Sequence, residues 1–176
     1  MSKNGDMYFG KFLISESHIF YKSPQGSAAF VNLRPIVPGH VLVMPERKVS
    51  TLQELTDDEY IDMWLAVRHV QTALQTQYHQ EGATPLAFNV AVQDGRAAGQ
   101  SVPHVHVHIL PRQEGDFERS DDVYDALEAW APLEGMKEKV PKLQVQEDED
   151  RVDRTPEIMA QEAALYRSVL ESSSKL

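Results

Sequence analysis

The chain reads as one domain of mixed strands and helices. Three features of its sequence predict this: short apolar runs separated by turn residues, one long amphipathic stretch with helix-start chemistry, and a second pair of strand-like runs ahead of a final helix. At 176 residues it is long enough for one proper core and short for two. A composition that is 41% hydrophobic and 25% charged is that of a globular protein.

The first strands are expected at Phe12 to Ile14, Ile19 to Tyr21, Phe30 to Leu33 and Val41 to Met44. Ser, Pro, Gln and Gly separate them, and Pro38-Gly39 supplies a turn between the last two. They form an antiparallel meander. The long helix starts at Thr56, whose spacing to Glu59 is that of a capping box, with Asp57 and Asp58 suiting the helix dipole. Tyr60, Met63, Trp64, Val67 and Leu74 recur at helical spacing and are expected to face the core, with Gly82 as a stop after Tyr78. Leu86 to Val92 and Val105 to Leu110 return to strand character and pair as a hairpin around the Gly-containing segment Asp94 to Gln100.

After Pro111 the composition changes. Residues 113–154 are rich in charge, include Glu147-Asp148-Glu149-Asp150, and are expected to form an acidic mobile loop, interrupted by a short helix over Asp122 to Trp130. Thr155-Pro156 gives an N-cap followed by proline at the first helical position. The division expected is a core over 1–112, the acidic loop over 113–154, and a terminal helix over 155–176 docked on the core.

Several function classes are excluded by composition. No run approaches the roughly 20 apolar residues of a membrane span, and the N-terminus lacks a secretory core, so a soluble protein with no membrane partner is expected. The absence of cysteine rules out disulfides and thiolate chemistry and suits a cytoplasmic or nuclear setting. A net charge of −10 without clustered cations argues against DNA or RNA as partner. An anionic ligand has to be held locally.

His104-Val105-His106-Val107-His108 is the segment that carries chemistry. On a strand the three imidazoles project from one face, spaced roughly 6.5 to 7 Å, while Val105, Val107 and Ile109 take the other. A solvated sheet face would explain polar residues here, but not three of the chain's seven histidines within five positions. A zinc site is a second reading, with two ligands from His-x-His and a third from His108 or His40. The third is nucleophilic catalysis at phosphorus by neutral His106, its other ring nitrogen donating to a backbone carbonyl to fix the tautomer. In that reading His104 and His108 supply charge and protons. Gly99, Gln100 and Ser101 offer N–H groups, an amide and a hydroxyl to phosphate oxygens, and Gln93 offers an amide to a bridging oxygen.

Gln100-Ser101-Val102-Pro103-His104-Val105-His106-Val107-His108-Ile109-Leu110-Pro111-Arg112 resembles the signature of the histidine triad (HIT) family. Asn32 to Val43 and Val92-Gln93-Asp94-Gly95 are similar to its Fhit-type branch of diadenosine triphosphate hydrolases. This resemblance implies a compact α+β, HIT-like fold: an antiparallel sheet, one long helix and a C-terminal helix, in a homodimer whose sheets run on together. It further implies that His106 becomes adenylylated and that the products are AMP and ADP. His104 and His108 would orient or contact the reacting phosphate, and Gln93 would assist at the bridging oxygen. Asn32 falls at a ribose-contacting position, Gly99, Gln100 and Ser101 at the phosphate loop, Leu42 at the base pocket, and His40 at a supporting histidine. Tyr124 resembles a tyrosine that can be phosphorylated. No tightly bound cofactor or catalytic metal is implied beyond a divalent cation such as magnesium accompanying the polyphosphate. The alternatives within reach of the same residues are a nucleoside phosphoramidase and a nucleotide-binding signalling module whose turnover is incidental.

Overall fold

A computed structural model describes residues 5–78, 85–130 and 153–173. Its strands are β1 (Met7–Phe9), β2 (Phe12–Ile14), β3 (Ile19–Lys22), β4 (Ser27–Val31), β5 (Val41–Pro45), β6 (Ala87–Val92) and β7 (Val107–Arg112), and its helices α1 (Asp57–Tyr78), α2 (Asp122–Trp130) and α3 (Pro156–Ser173). β1 and β2 form a separate hairpin; the other strands make a five-stranded antiparallel sheet in the order β3-β4-β5-β7-β6. This is the expected α+β architecture, and no helix among the described residues is long and apolar enough to cross a membrane.

Strand alternation divides the sheet's side chains between two faces. Ala29, Val31, Val41, Val43, Val107 and Ile109 point to one, where α1 and α3 cover them with Met63, Val67, Val70, Leu74, Met159, Ala163 and Tyr166. Phe30, Leu42 and Met44 point to the other and pack with Met7 and Phe9 of the hairpin. Along that same face, Leu110 meets Val37 and the α2 residues Val123 and Leu127. The histidines lie on this second face.

The helix starts are as the sequence indicates. The Glu59 amide donates to Thr56 Oγ1 at 3.3 Å and the Thr56 amide to the Glu59 carboxylate at 2.9 Å; the Ile158 amide donates to Thr155 Oγ1 at 3.4 Å. Three expectations need correction. β4 runs over Ser27–Val31, not 30–33, because the small Ala28 and Ala29 sit fully buried under the sheet's coverings while Leu33 is 47% exposed. The core face of α1 is Met63, Ala66, Val67, Val70, Ala73 and Leu74, and Tyr60 lies outside it at 42% exposure. Two overlapping stripes satisfy the i, i+3, i+4 pattern, and Ala66 and Ala73 mark the inner one. The expected strand over 105–110 begins only at Val107, leaving His104 and His106 in the extended segment before it. Residues 113–130 are held by contacts, including Arg112 on the Asp116 carboxylate at 2.6 Å and α2 on Leu110. The rest of the predicted acidic loop, 131–152, and the Gly82 stop lie outside the described residues.

One buried carboxylate fastens α1 to the sheet: Asp62 accepts from Ser23 Oγ at 2.5 Å and from the Ser27 amide at 3.1 Å. Removing it strands the Ser23 hydroxyl and leaves the Ser27 amide only its 2.8 Å bond to Ser23 Oγ, so Asp62→Ala is expected to cost about 1 to 2 kcal/mol. Urea unfolding checks this; an unchanged midpoint would mean that water replaces the carboxylate at no cost.

Candidate active site

β7 carries His108 between Leu42 of β5 and Ala91 of β6 as cross-strand neighbours. The preceding segment is pinned by the Val105 amide on the Val49 carbonyl at 2.7 Å, which sets the path of His104 and His106. All three imidazoles are at most 1% exposed. A solvated face is thereby excluded, and the rings of His106 and His108 lie 4.9 Å apart.

The hydrogen bonds fix every tautomer, because backbone N–H groups can only donate and carbonyls only accept. His106 Nδ1 donates to the carbonyl of His104 at 2.7 Å, which leaves the lone pair on Nε2. The Ile36 amide donates to His40 Nδ1 at 3.1 Å, so His40 Nε2 carries the proton and donates it to His108 Nδ1 at 2.9 Å. His108 consequently carries its own proton on Nε2. A lone pair and an N–H donor are set side by side.

His104, expected to orient or contact the reacting phosphate, has both ring nitrogens engaged within the protein. Its Nδ1 accepts from the Gly10 amide at 3.2 Å, and its Nε2 donates to the Pro45 carbonyl at 2.8 Å. With both nitrogens occupied it ties the β1–β2 hairpin to β5. Gly10 sits at φ +61, where a Cβ would also stand 2.5 Å from Val102 Cγ1, so glycine is required for that amide to reach the ring. Phe9 of the same hairpin lies edge-on to His106, with centroids 4.8 Å apart. Zinc held by the three triad rings would break the His104 pair of hydrogen bonds, and no metal-ligating cluster occurs among the described residues.

Burial depresses the basicity of the whole group. It holds His106 at about 4, with the neighbouring His104 acting in the same direction against the hydrogen bond to the His104 carbonyl. Burial, then His40 and His106, push His108 well down, and burial lowers His104. The imidazoles are neutral at pH 7, which suits a nitrogen nucleophile. The unfolded chain takes up protons near pH 6.5 that the folded chain refuses, so stability is full above that value and falls as the pH drops toward about 4. Thermal melts at pH 7.5 and 5 should show a lower midpoint at pH 5; His106→Asn should narrow the gap.

The other expected residues are brought in to differing degrees. Asn32 is buried at 2%, its Oδ1 accepting from the Arg34 amide at 3.0 Å and its Nδ2 lying 3.2 to 3.4 Å from both His40 ring nitrogens. Leu42 shares the face of His108 and packs with Phe9 and Phe30. Gln93 follows β6 with a buried Oε1 that meets no hydrogen-bond partner among the described residues. Gly99, left-handed at φ +87, leaves room for the Gln93 amide, since a Cβ would approach Nε2 to 3.0 Å. Gln100 turns away, its amide donating to the Ser50 carbonyl at 2.7 Å, so it supports the loop through its side chain. Ser101 is exposed at the loop surface. Tyr124 is 55% exposed on α2 and its hydroxyl accepts from Asn89; it stands outside the triad's contacts. Sequence reasoning missed β1, and with it Phe9 and Gly10. The signal was present as two apolar triplets, Met7 to Phe9 and Phe12 to Ile14, around Gly10-Lys11.

Comparison with known proteins gives the same picture. The HIT domain model matches residues 14–115. The chain is 46% identical, over 93% of its length and 83% of the relative, to the bifunctional bis(5'-adenosyl)-triphosphatase/adenylylsulfatase FHIT of Arabidopsis thaliana. It is 42% identical, over 89% of its length and 90% of the relative, to the asymmetrical bis(5'-nucleosyl)-tetraphosphatase of Schizosaccharomyces pombe. Among solved structures, Caenorhabditis elegans NitFhit superposes with a TM-score of 0.68 at 37% identity, covering 96% of this chain and 31% of that one. Plasmodium falciparum diadenosine triphosphate hydrolase superposes with a TM-score of 0.69 at 25% identity, covering 97% and 88%. With its histidines on the sheet face and its relatives aligned along most of its length, this chain belongs to the histidine triad family, in the Fhit-type branch.

Proposed function

We propose that this chain hydrolyses dinucleoside polyphosphates, diadenosine triphosphate foremost, to AMP and ADP through an AMP held covalently on His106. The observation that carries the reading is the His106 ring itself: neutral, with Nδ1 donating to the His104 carbonyl and the lone pair on Nε2. In the first step Nε2 attacks the phosphorus of one AMP unit; the N–P bond forms as the bond to the bridging oxygen breaks, and ADP leaves with that electron pair. The imidazole becomes cationic, a charge that the His104 carbonyl on Nδ1–H accommodates. His108 Nε2–H is the donor for a phosphoryl oxygen, where negative charge grows in the transition state. Gln93 serves the bridging oxygen. In the second step water attacks phosphorus, the N–P bond returns its pair to Nε2, and the proton is released to solvent. AMP results.

Asn32 is assigned to the ribose and Leu42 to the base, since both lie on the triad's face, and the backbone of Gly99 to Ser101 to the phosphates. A divalent cation such as magnesium arrives with the polyphosphate and offsets its charge against a chain of net charge −10. A homodimer continuing the sheet is supported by β6, an edge strand whose only described partner is β7, and by Tyr60, Ile61 and Leu65, exposed on α1 at 40 to 56%. Hydrolysis in 18O-water tests the chemistry: the label should enter AMP alone. Label in ADP would place the attack at another phosphorus, and intact substrate alongside cleaved AMP-amine would favour the phosphoramidase.

A further inference from the structure

The segment ahead of α3 meets the residues after β4 through Arg154. Arg154 Nε and Nη2 both donate to the main-chain carbonyl of Asn32, at 3.1 and 2.5 Å, and the Arg154 amide donates to the Leu33 carbonyl at 3.1 Å. The guanidinium is oriented from behind by an ion pair with Glu162 of α3, with side chains only 17% and 14% exposed. Glu162 accepts in turn from the Tyr166 hydroxyl at 2.7 Å, and that hydroxyl, its one proton committed, accepts from the Tyr78 hydroxyl of α1 at 3.0 Å. Tyr166 is fully buried in the core beneath the sheet. A pair with such geometry and burial is worth more than the half-exposed Arg34–Asp153 pair beside it.

On its other side Asn32 is the residue whose Nδ2 lies against His40, and His40 sets the tautomer of His108. A continuous chain of contacts therefore joins α3 to the triad: Glu162, Arg154, Asn32, His40, His108. We propose that Arg154 is a positioning residue for nucleoside recognition, gripping the Asn32 carbonyl so that the Asn32 side chain stands where it meets the ribose. This rests on the ribose role assigned above. Arg154 itself touches no substrate, and its effect passes through Asn32.

The test is a double-mutant comparison in the full chain with diadenosine triphosphate. Arg154→Met is expected to raise KM about tenfold while kcat stays within about threefold, and to change KM less than about twofold when Asn32 is already alanine. Arg154→Lys, which keeps the charge and one donor, should recover part of the loss. Melting curves are recorded beside the kinetics. A lowered melting temperature with unchanged KM, or effects of Arg154→Met and Asn32→Ala that simply multiply, overturns the proposal. If Arg154→Met does not fold, Glu162→Gln, which frees the guanidinium but keeps an acceptor for Tyr166, is read against the same criteria. A wild-type chain that leaves diadenosine triphosphate uncut defeats the proposed function, and AMP affinity measured by calorimetry then decides the role of Arg154 by the same comparison.

Discussion

His106→Asn should lose about four orders of magnitude or more in kcat, as expected on removal of a covalent nucleophile, while AMP binding and the fold persist. The reason lies in how the ring is held. Nδ1 is committed to the His104 carbonyl at 2.7 Å, and the Asn amide nitrogen can replace that donor. Nothing in asparagine replaces Nε2, the atom that carries the lone pair. His106→Ala should lose the same activity but also leave a cavity against Phe9, whose ring lies 4.8 Å from the imidazole. Product chromatography and AMP calorimetry on both variants check this; a loss of only tenfold with the fold intact would move the nucleophile elsewhere.

The second large effect belongs to His108. Its Nε2–H is aimed by a relay that begins at the Ile36 amide and passes through His40. Removing a preorganised donor of this kind from a developing phosphoryl charge costs about 10²- to 10³-fold in kcat, and that is the range expected for His108→Ala. ADP is a good leaving group at neutral pH and needs no proton from a ring held neutral by burial. The loss should therefore be similar for diadenosine triphosphate and for the p-nitrophenyl ester of AMP. A defect that disappears with the ester would instead make His108 the acid for the departing oxygen.

The sequence disclosed the parts of this site that obey a short period or a local rule. His104, His106 and His108 alternate with buried valines, and the backbone bond that fixes the nucleophile's tautomer follows from the chemistry of a single imidazole. Helix starts at Thr56 and Thr155 were legible because capping is local. What failed was what depends on distant packing. The core stripe of α1 passes through Ala66 and Ala73, which no hydrophobic count favours over Tyr60. His104 could not be separated from its neighbours, because its distinct role comes from Gly10, 94 residues away in sequence. The Gln100 amide suits a phosphate oxygen by sequence position, yet it donates to the Ser50 carbonyl, 50 residues away. Arg154 follows a charged run without any periodicity, and only the fold reveals that its partner is the carbonyl of Asn32, 122 residues earlier.

The central claim is that the reaction passes through AMP bonded to His106. Intact-protein mass spectrometry after brief acid quench with diadenosine triphosphate tests it most directly, comparing wild type with His106→Ala. The account predicts a transient adduct of one AMP on the wild-type chain and none on the variant. Turnover of the wild type with no adduct at any quench time, in a series fast enough to resolve one turnover, would contradict it and point to direct attack by water.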